Sequence, residues 1–388
     1  MYPDLSYLFH DLFGSSPDNW TSIFKTFGLF LVLAILSAAY ILYRELKRKA
    51  ENNEFKAQKV KYKVGMPPKP AEIVVNALWG FIIGYKGWHA FLNLEALKKD
   101  AAEVLLNLEG HWPSGLMMGG LIAGLKYWDA KKKQLPKPKI KTKKVFPHHR
   151  IGDITVIAAI SGVVGAKIFA VIEDIPALLA DPMGTLLSGG GLAIYGGLIG
   201  GFIGVSIYLK RHDIPFVPVL DAVAPALIIA YGVGRLGCHF SGDGDWGIIA
   251  SAQPSWWFLP DWLWSYDYPH NVLREGTPIE GCDYRYCTRL ESPVYPTSIY
   301  ETLMAFTIGG ILFALRKPLQ SFPGMLFFIY LIFNGVERFF IERVRVNQVY
   351  DTMGGFTQAQ MIAMALLLIG LIGCAWIWRQ NRTQERKE

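Results

Sequence analysis

The chain has 388 residues, 52% hydrophobic and only 18% charged, with a mean hydropathy of +0.25. That charge content lies below the roughly 25% of soluble domains, which points to a polytopic membrane protein; disorder, a collagen-like repeat and a disulfide scaffold are excluded by the hydrophobicity, the lack of a glycine period and a count of four cysteines. The formal charge of +7 is packed into a few lysine-rich loops beside apolar runs, so it reads as membrane orientation and not as nucleic-acid binding.

A helix needs about 20 apolar residues to cross roughly 30 Å of hydrocarbon. Nine runs are candidates, near 22–43, 72–94, 114–129, 151–172, 191–209, 214–233, 297–315, 323–341 and 359–378, the third of them short and rich in glycine. The fold class is therefore read as all-α, a polytopic membrane helix bundle of about nine transmembrane helices. The first 21 residues hold Asp4, Asp11 and Asp18 and no basic stretch, so the first span is expected to stay as an anchor and not be cleaved as a signal peptide.

Lysine and arginine set the orientation. They crowd the segments after the first and third spans, from Arg44 to Lys63 and from Lys131 to Lys144, and recur at Lys210–Arg211, Arg316–Lys317 and the tail from Arg379 to Lys387. All five segments fall on one side of an alternating chain, giving an outside N-terminus and a cytoplasmic C-terminus. The expected organisation is an exterior N-terminus and first helix (1–43), basic cytoplasmic loops with an inserted pair of spans (44–149), a membrane core (150–378) with exterior loop 242–296, and a cytoplasmic tail (379–388). Pro67-Pro-Lys-Pro and Pro136-Lys-Pro-Lys are expected to be stiff solvated connectors.

Ionisable residues within or at the ends of spans are costly and usually functional or paired. Three segments hold them or their polar neighbours. The run from Ser188 to Gly204 is dense in glycine around Tyr195, which suits either close helix packing or a hydroxyl offered to a headgroup. The run Gly234-Arg-Leu-Gly-Cys-His-Phe-Ser-Gly-Asp-Gly-Asp-Trp-Gly247 sets Arg235 beside Cys238, His239, Asp243 and Asp245; a guanidinium there can take a phosphate through its planar fork of donors. No metal site is expected, because adjacent ligands and two aspartates do not match zinc spacings. The run Asn334-Gly-Val-Glu-Arg-Phe-Phe-Ile-Glu-Arg-Val-Arg345 places Arg338, Glu342 and Arg345 on one helical face, either a self-neutralising ladder or, counting three arginines against two glutamates, an anion site. Exterior-loop residues Cys282 and Cys287 suit a local disulfide. The nearby Trp256, Trp257, Trp262, Trp264, Tyr266 and Tyr268 suit a platform at headgroup level or a simple aromatic belt.

These motifs together resemble bacterial prolipoprotein diacylglyceryl transferases. The run 234–247 resembles the family signature, and Tyr195-Gly-Gly-Leu-Ile-Gly, Tyr295-Pro-Thr-Ser-Ile-Tyr-Glu301, Gly335-Val-Glu-Arg-Phe-Phe-Ile-Glu342 with Arg345, and Thr357-Gln-Ala-Gln360 follow the family order. The resemblance covers most of 151–378 and the first span. It implies a cell inner membrane enzyme that moves the diacylglyceryl group of phosphatidylglycerol onto the lipobox cysteine of signal-peptide-bearing preprolipoproteins, without a cofactor. It also implies that Arg235 and Arg338 engage the lipid headgroup, that Arg345 is a further basic position and that Gly247 closes the signature. Glu342 and Asp245 join these as expected substrate-binding residues. The sequence departs from the family at Tyr195, where a histidine is frequent, at Cys238, where asparagine is usual, and at Phe27, where the first span often has a tyrosine; region 44–149 has no counterpart in the common form. For the general base His239 is the first candidate and Asp243 or Asp245 the next, with Tyr195 as an orienting hydrogen bond. Competing readings are a lipid-binding protein of the same fold with altered chemistry, a transporter, and a thiol oxidoreductase.

Overall fold

The computed structural model describes residues 1–99, 101–187, 193–346 and 355–385. In chain order the helices and strands begin with α1 (Leu5–Phe13), α2 (Thr26–Glu51), β1 (Gln58–Val64), α3 (Pro70–Leu92), α4 (Leu94–Lys99), α5 (Ala101–Leu106) and α6 (Trp112–Lys132). They continue with β2 (Lys139–Val145), α7 (Ile151–Glu173), α8 (Ile175–Ala180), α9 (Pro182–Leu187), α10 (Ile194–Arg211) and α11 (Phe216–Ser241). The last are β3 (Thr277–Pro278), β4 (Thr288–Arg289), α12 (Thr297–Leu315), α13 (Met325–Ile341) and α14 (Gln358–Glu385). Among the described residues a helix falls within each of the nine apolar runs. Five stretches, α2, Pro147–Glu173, α11, α12 and Gln358–Thr383, are long and apolar enough among the described residues to cross a membrane, as a multi-pass membrane protein requires.

The chain divides into two compact units, Met1–Glu54 with Leu209–Glu388, and Phe55–Tyr208. The second unit thus extends past the insertion expected at 44–149 and takes in α7 and most of α10. Within it, α7 and α10 approach closely: a Cβ at Gly165 or Gly200 would strike the backbone of the other helix, so this part of the glycine run serves helix packing. Residues 188–192 of that run lie outside the described residues. The all-α expectation needs one correction, since β1 and β2 form an antiparallel sheet, Gln58 opposite Val145 through Val64 opposite Lys139, and β3 pairs with β4. Segments 58–64 and 139–145 alternate lysine with apolar or small residues, a period of two that suits strands. Their charge had marked them as loops.

In the first unit the core lies where α11, α12 and α13 meet, with Ala224, Ile228, Ala305, Ile308, Leu312 and Leu326 buried together. Buried Asp221, on α11, caps a different helix: its carboxylate accepts from the backbone N–H groups of Gly324 at 2.7 Å and Phe327 at 3.1 Å, at the start of α13. That satisfies two of the donors that any helix start leaves open. On the same side as this cap, the ends of α2 and α12 are joined through Glu45, which pairs with Arg316 and Arg48. Helix α11 runs eight residues past the expected boundary at 233 and stops at Gly242, whose left-handed φ of 63° closes it. Arg235, Cys238 and His239 are therefore helical.

The amino-terminal segment packs on the long loop between α11 and α12. Fully buried Asp4 caps α1 and pairs with Lys25 at 3.1 Å, while the backbone N–H groups of Arg285 and Tyr286 donate to Asp18 at 2.8 Å and to the Tyr7 hydroxyl at 2.9 Å. Cys282 and Cys287 form a disulfide in that loop.

Candidate functional site

Three helix ends meet in the first unit: the last turns of α11 and α13, bearing Arg235 and Arg338, and the first turns of α12, bearing Glu301. Glu301 is fully buried. An isolated carboxylate there would be prohibitively costly, but it has three cationic partners. Arg235 pairs with it directly, Arg338 lies at 3.3 Å and Arg345 at 3.4 Å. The Tyr231 hydroxyl donates to it as well, at 3.0 Å. Arg235 and Arg345 also share Asp245, and Arg338 reaches Glu342 at 3.0 Å.

Guanidinium groups from two separate helices, with a third from beyond α13, thus converge on one carboxylate, which the sequence reading did not foresee, and the charge count differs from the one made along 334–345. Adding Arg235, Asp245 and Glu301 to the charges of 334–345 sets four arginines (Arg235, Arg338, Arg343 and Arg345) against four carboxylates (Asp245, Glu301, Glu337 and Glu342), so the positive remainder disappears. Some guanidinium donors stay unfilled. Arg235 Nε and Arg345 Nε are buried without a hydrogen-bond partner among the described residues, and Arg338, with 27% of its side chain exposed, is the most open of the three.

The two aspartates of the signature are shifted in opposite directions. Burial pushes the Asp245 carboxyl up, but Arg235 and Arg345 outweigh it and bring it down to about 2; it is an ionised strut. Burial and the neighbouring Asp245 charge raise Asp243 above the ordinary carboxyl range, the direction that makes a carboxylate a better base. Ligand atoms of Cys238, Asp243 and Asp245 lie within 4.8 Å of one another. A guanidinium is already there, since Arg235 donates to both Cys238 Sγ and Asp245, and its charge opposes a metal cation.

Gly247 lets two segments touch. Its N–H donates to the Tyr295 carbonyl at 2.9 Å, the next N–H, of Ile248, donates to Val344 at 2.8 Å, and a Cβ at Gly247 would collide with the Val344 carbonyl and the Thr297 and Tyr295 side chains. The bridge it forms with Arg345 holds that arginine against Asp245. Beyond Glu342, Thr357 and Gln360 exchange reciprocal hydrogen bonds at the start of α14 and the Thr357 hydroxyl donates to Glu342 at 2.8 Å. This capping box ties the last helix to the cluster.

His239 sits apart from the ion pairs. It is buried among Phe240, Trp262, Tyr266 and Tyr268, and its Nδ1 lies 3.3 Å from the Tyr268 hydroxyl. Tyr195 belongs to the second unit, in the first turn of α10. Trp256, Trp257 and Trp264 pack edge to face, and Trp256 and Phe258 remain 68% and 88% exposed. The residues that sequence reasoning missed are Glu301 and Tyr231. Both stood inside or beside quoted motifs, yet nothing local says which cations they meet.

Comparison with known proteins adds names to this geometry. Residues 100–376 match the family model described as prolipoprotein diacylglyceryl transferase. A Staphylococcus carnosus protein named phosphatidylglycerol–prolipoprotein diacylglyceryl transferase is 30% identical over 267 residues, covering 68% of this chain and 85% of its own length. Proteins of the same name from Corynebacterium glutamicum and Clostridium novyi are 28% and 29% identical; they align with 59% and 58% of this chain and with 70% and 77% of their own lengths.

Proposed function

The chain belongs to the prolipoprotein diacylglyceryl transferase family, and from that premise we propose that it transfers the diacylglyceryl group of phosphatidylglycerol to the lipobox cysteine of preprolipoproteins. The thiol sulfur attacks the glyceryl carbon that bears the phosphate. A C–S bond forms, the C–O bond to phosphate breaks, and glycerol 1-phosphate leaves with the electron pair. The thiol proton passes to a base, for which Asp243, with its raised carboxyl, is the first choice and His239 the second. Ionising a thiol of pKa near 8.5 at neutral pH costs about 2 kcal/mol, which a base and a positive field together can supply.

The observation that carries this reading is the convergence of Arg235, Arg338 and Arg345 on buried Glu301. Their planar donor forks, held at fixed spacing by Glu301 and Asp245, are suited to meet charge as it grows on the departing phosphate without reorganising. In this account the phosphate enters on the open side of Arg338, Gly247 keeps Arg345 in register, and Glu342 orients Arg338. The working orientation has an outside N-terminus, a cytoplasmic C-terminus and nine spans in a bacterial inner membrane.

Purified protein given phosphatidylglycerol and a lipobox peptide tests the proposal. Thioether peptide and glycerol 1-phosphate are the expected products. The pairing of all three arginines with carboxylates favours one other reading, a lipid-binding protein without this chemistry, which tight lipid binding with no thioether would establish.

A further inference from the structure

The two-stranded sheet of the second unit carries a charge pattern that the transferase reading does not use. Residues 55–71 and 130–152, which contain its strands, hold thirteen lysines and one arginine and no aspartate or glutamate. The register sets Lys59 opposite Lys144, Lys61 opposite Thr142 and Lys63 opposite Ile140. Because side chains alternate between faces, these six share one face, and all six are exposed. Among the described residues no carboxylate pairs with any of the four lysines. The other face is the more covered one, with Gln58, Val60, Val64 and Val145 half-buried beside exposed Tyr62, Lys139, Lys141 and Lys143.

Such a sheet is poorly stabilised alone. Isolated two-stranded sheets are marginal in water, and like charges directly opposite, as at Lys59 and Lys144, weaken the pairing further. Its position supplies a remedy. Val145 is followed after one residue by Pro147–Glu173, a stretch long and apolar enough to cross a membrane, so the strand is held beside a bilayer surface. A cleft of about 510 Å³ opens at the end of the strand, lined by Tyr62, Lys63, Lys69 and Lys133 with Glu72 as its one carboxylate, and Ile140, 65% exposed, adds an apolar contact within the basic face.

We propose that the exposed face of the β1–β2 sheet, with Lys59, Lys61, Lys63 and Lys144, is an electrostatic docking surface for the anionic phospholipid leaflet. Clustered basic residues next to a membrane span are attracted to acidic headgroups over about a Debye length. Headgroup phosphates here neutralise the opposed lysines and hold the sheet together.

Hydrogen exchange of the 58–64 and 139–145 amides, measured on the full chain in nanodiscs, reads this without any turnover, so its outcome is independent of the transferase proposal. The expected result is exchange slowed about tenfold or more in discs of phosphatidylcholine with phosphatidylglycerol compared with phosphatidylcholine alone, equally with phosphatidylserine, and reversed by high salt. Replacing Lys59, Lys61 and Lys63 together by glutamine removes the lipid dependence, whereas Thr142→Lys, which adds a charge to the same face, increases it. Equal exchange in neutral and anionic discs overturns the proposal. So does protection by phosphatidylglycerol alone, which indicates a headgroup-specific pocket, or protection only when RNA or an acidic peptide is added to neutral discs.

Discussion

Removing the negative charge of Glu301 leaves the guanidinium groups of Arg235, Arg338 and Arg345 around a buried point with one counter-charge fewer. Breaking a buried ion pair from one side costs about 3 kcal/mol or more, because the partners stay desolvated. Glu301→Gln is therefore expected to lower the thermal midpoint in detergent clearly and to abolish most turnover, while Glu72→Gln, which removes a surface pair with Lys69 of 3.3 Å, leaves the midpoint within a degree or so. Asp243 is tested by pH. A base with a raised carboxyl pKa is ionised above that pKa and protonated below it, so the rate falls as pH drops through a value higher than an ordinary aspartate's. Asp243→Asn should remove that acidic limb and cost about 10²-fold or more in kcat; an unchanged limb in this variant moves the role to His239. At this scale the arginines were legible, since a guanidinium at a span end is expensive and conspicuous. Glu301 was not, because an acid near a helix start has an ordinary explanation in the helix dipole, and its partners come from α11, from the end of α13 and from beyond it.

Among the elements, α11 does two tasks, bearing Arg235 near its end and supplying Asp221 to cap α13 near its start. Asp221→Ala strands the Gly324 and Phe327 N–H groups in a buried place, at about 2–4 kcal/mol in all. The thermal midpoint should drop accordingly, with Asp221→Asn recovering part of it through its remaining carbonyl oxygen. A midpoint equal to the wild type's would show that α13 does not need this cap. The apolar runs announced a helix at each of nine places because hydrophobic length is a strong signal. Helix ends were less legible: α11 passes through Gly234 and Gly237 to Gly242, since glycine inside a well-packed helix weakens it without stopping it. The β1–β2 sheet escaped notice because its period of two is written mostly in lysine, where charge alone suggests a solvated loop.

For the whole molecule, the ends of α11, α12 and α13 that bear the ion pairs share one side with the loop 242–296 and the amino-terminal segment packed on it, while Glu45 and Arg316 mark the opposite ends of α2 and α12. The orientation we propose makes the first side exterior. Single cysteines at exposed Ser251 and Lys317 check it: an impermeant thiol reagent should label Ser251→Cys in intact spheroplasts and Lys317→Cys only after lysis, and the reverse pattern inverts the assignment. The division into units at 55 and 209 could not be read from composition, because charge runs locate loops and say little about which helices pack together.

The central claim is that planar guanidinium groups on two helices receive the departing phosphate. Turnover of phosphatidylglycerol and a lipobox peptide by Arg235→Lys and Arg338→Lys, each checked for a wild-type circular dichroism spectrum, tests it most directly. Lysine keeps the charge and loses the fork, so both variants should fall by about 10²-fold or more in kcat. Wild-type turnover in either folded variant would contradict the account.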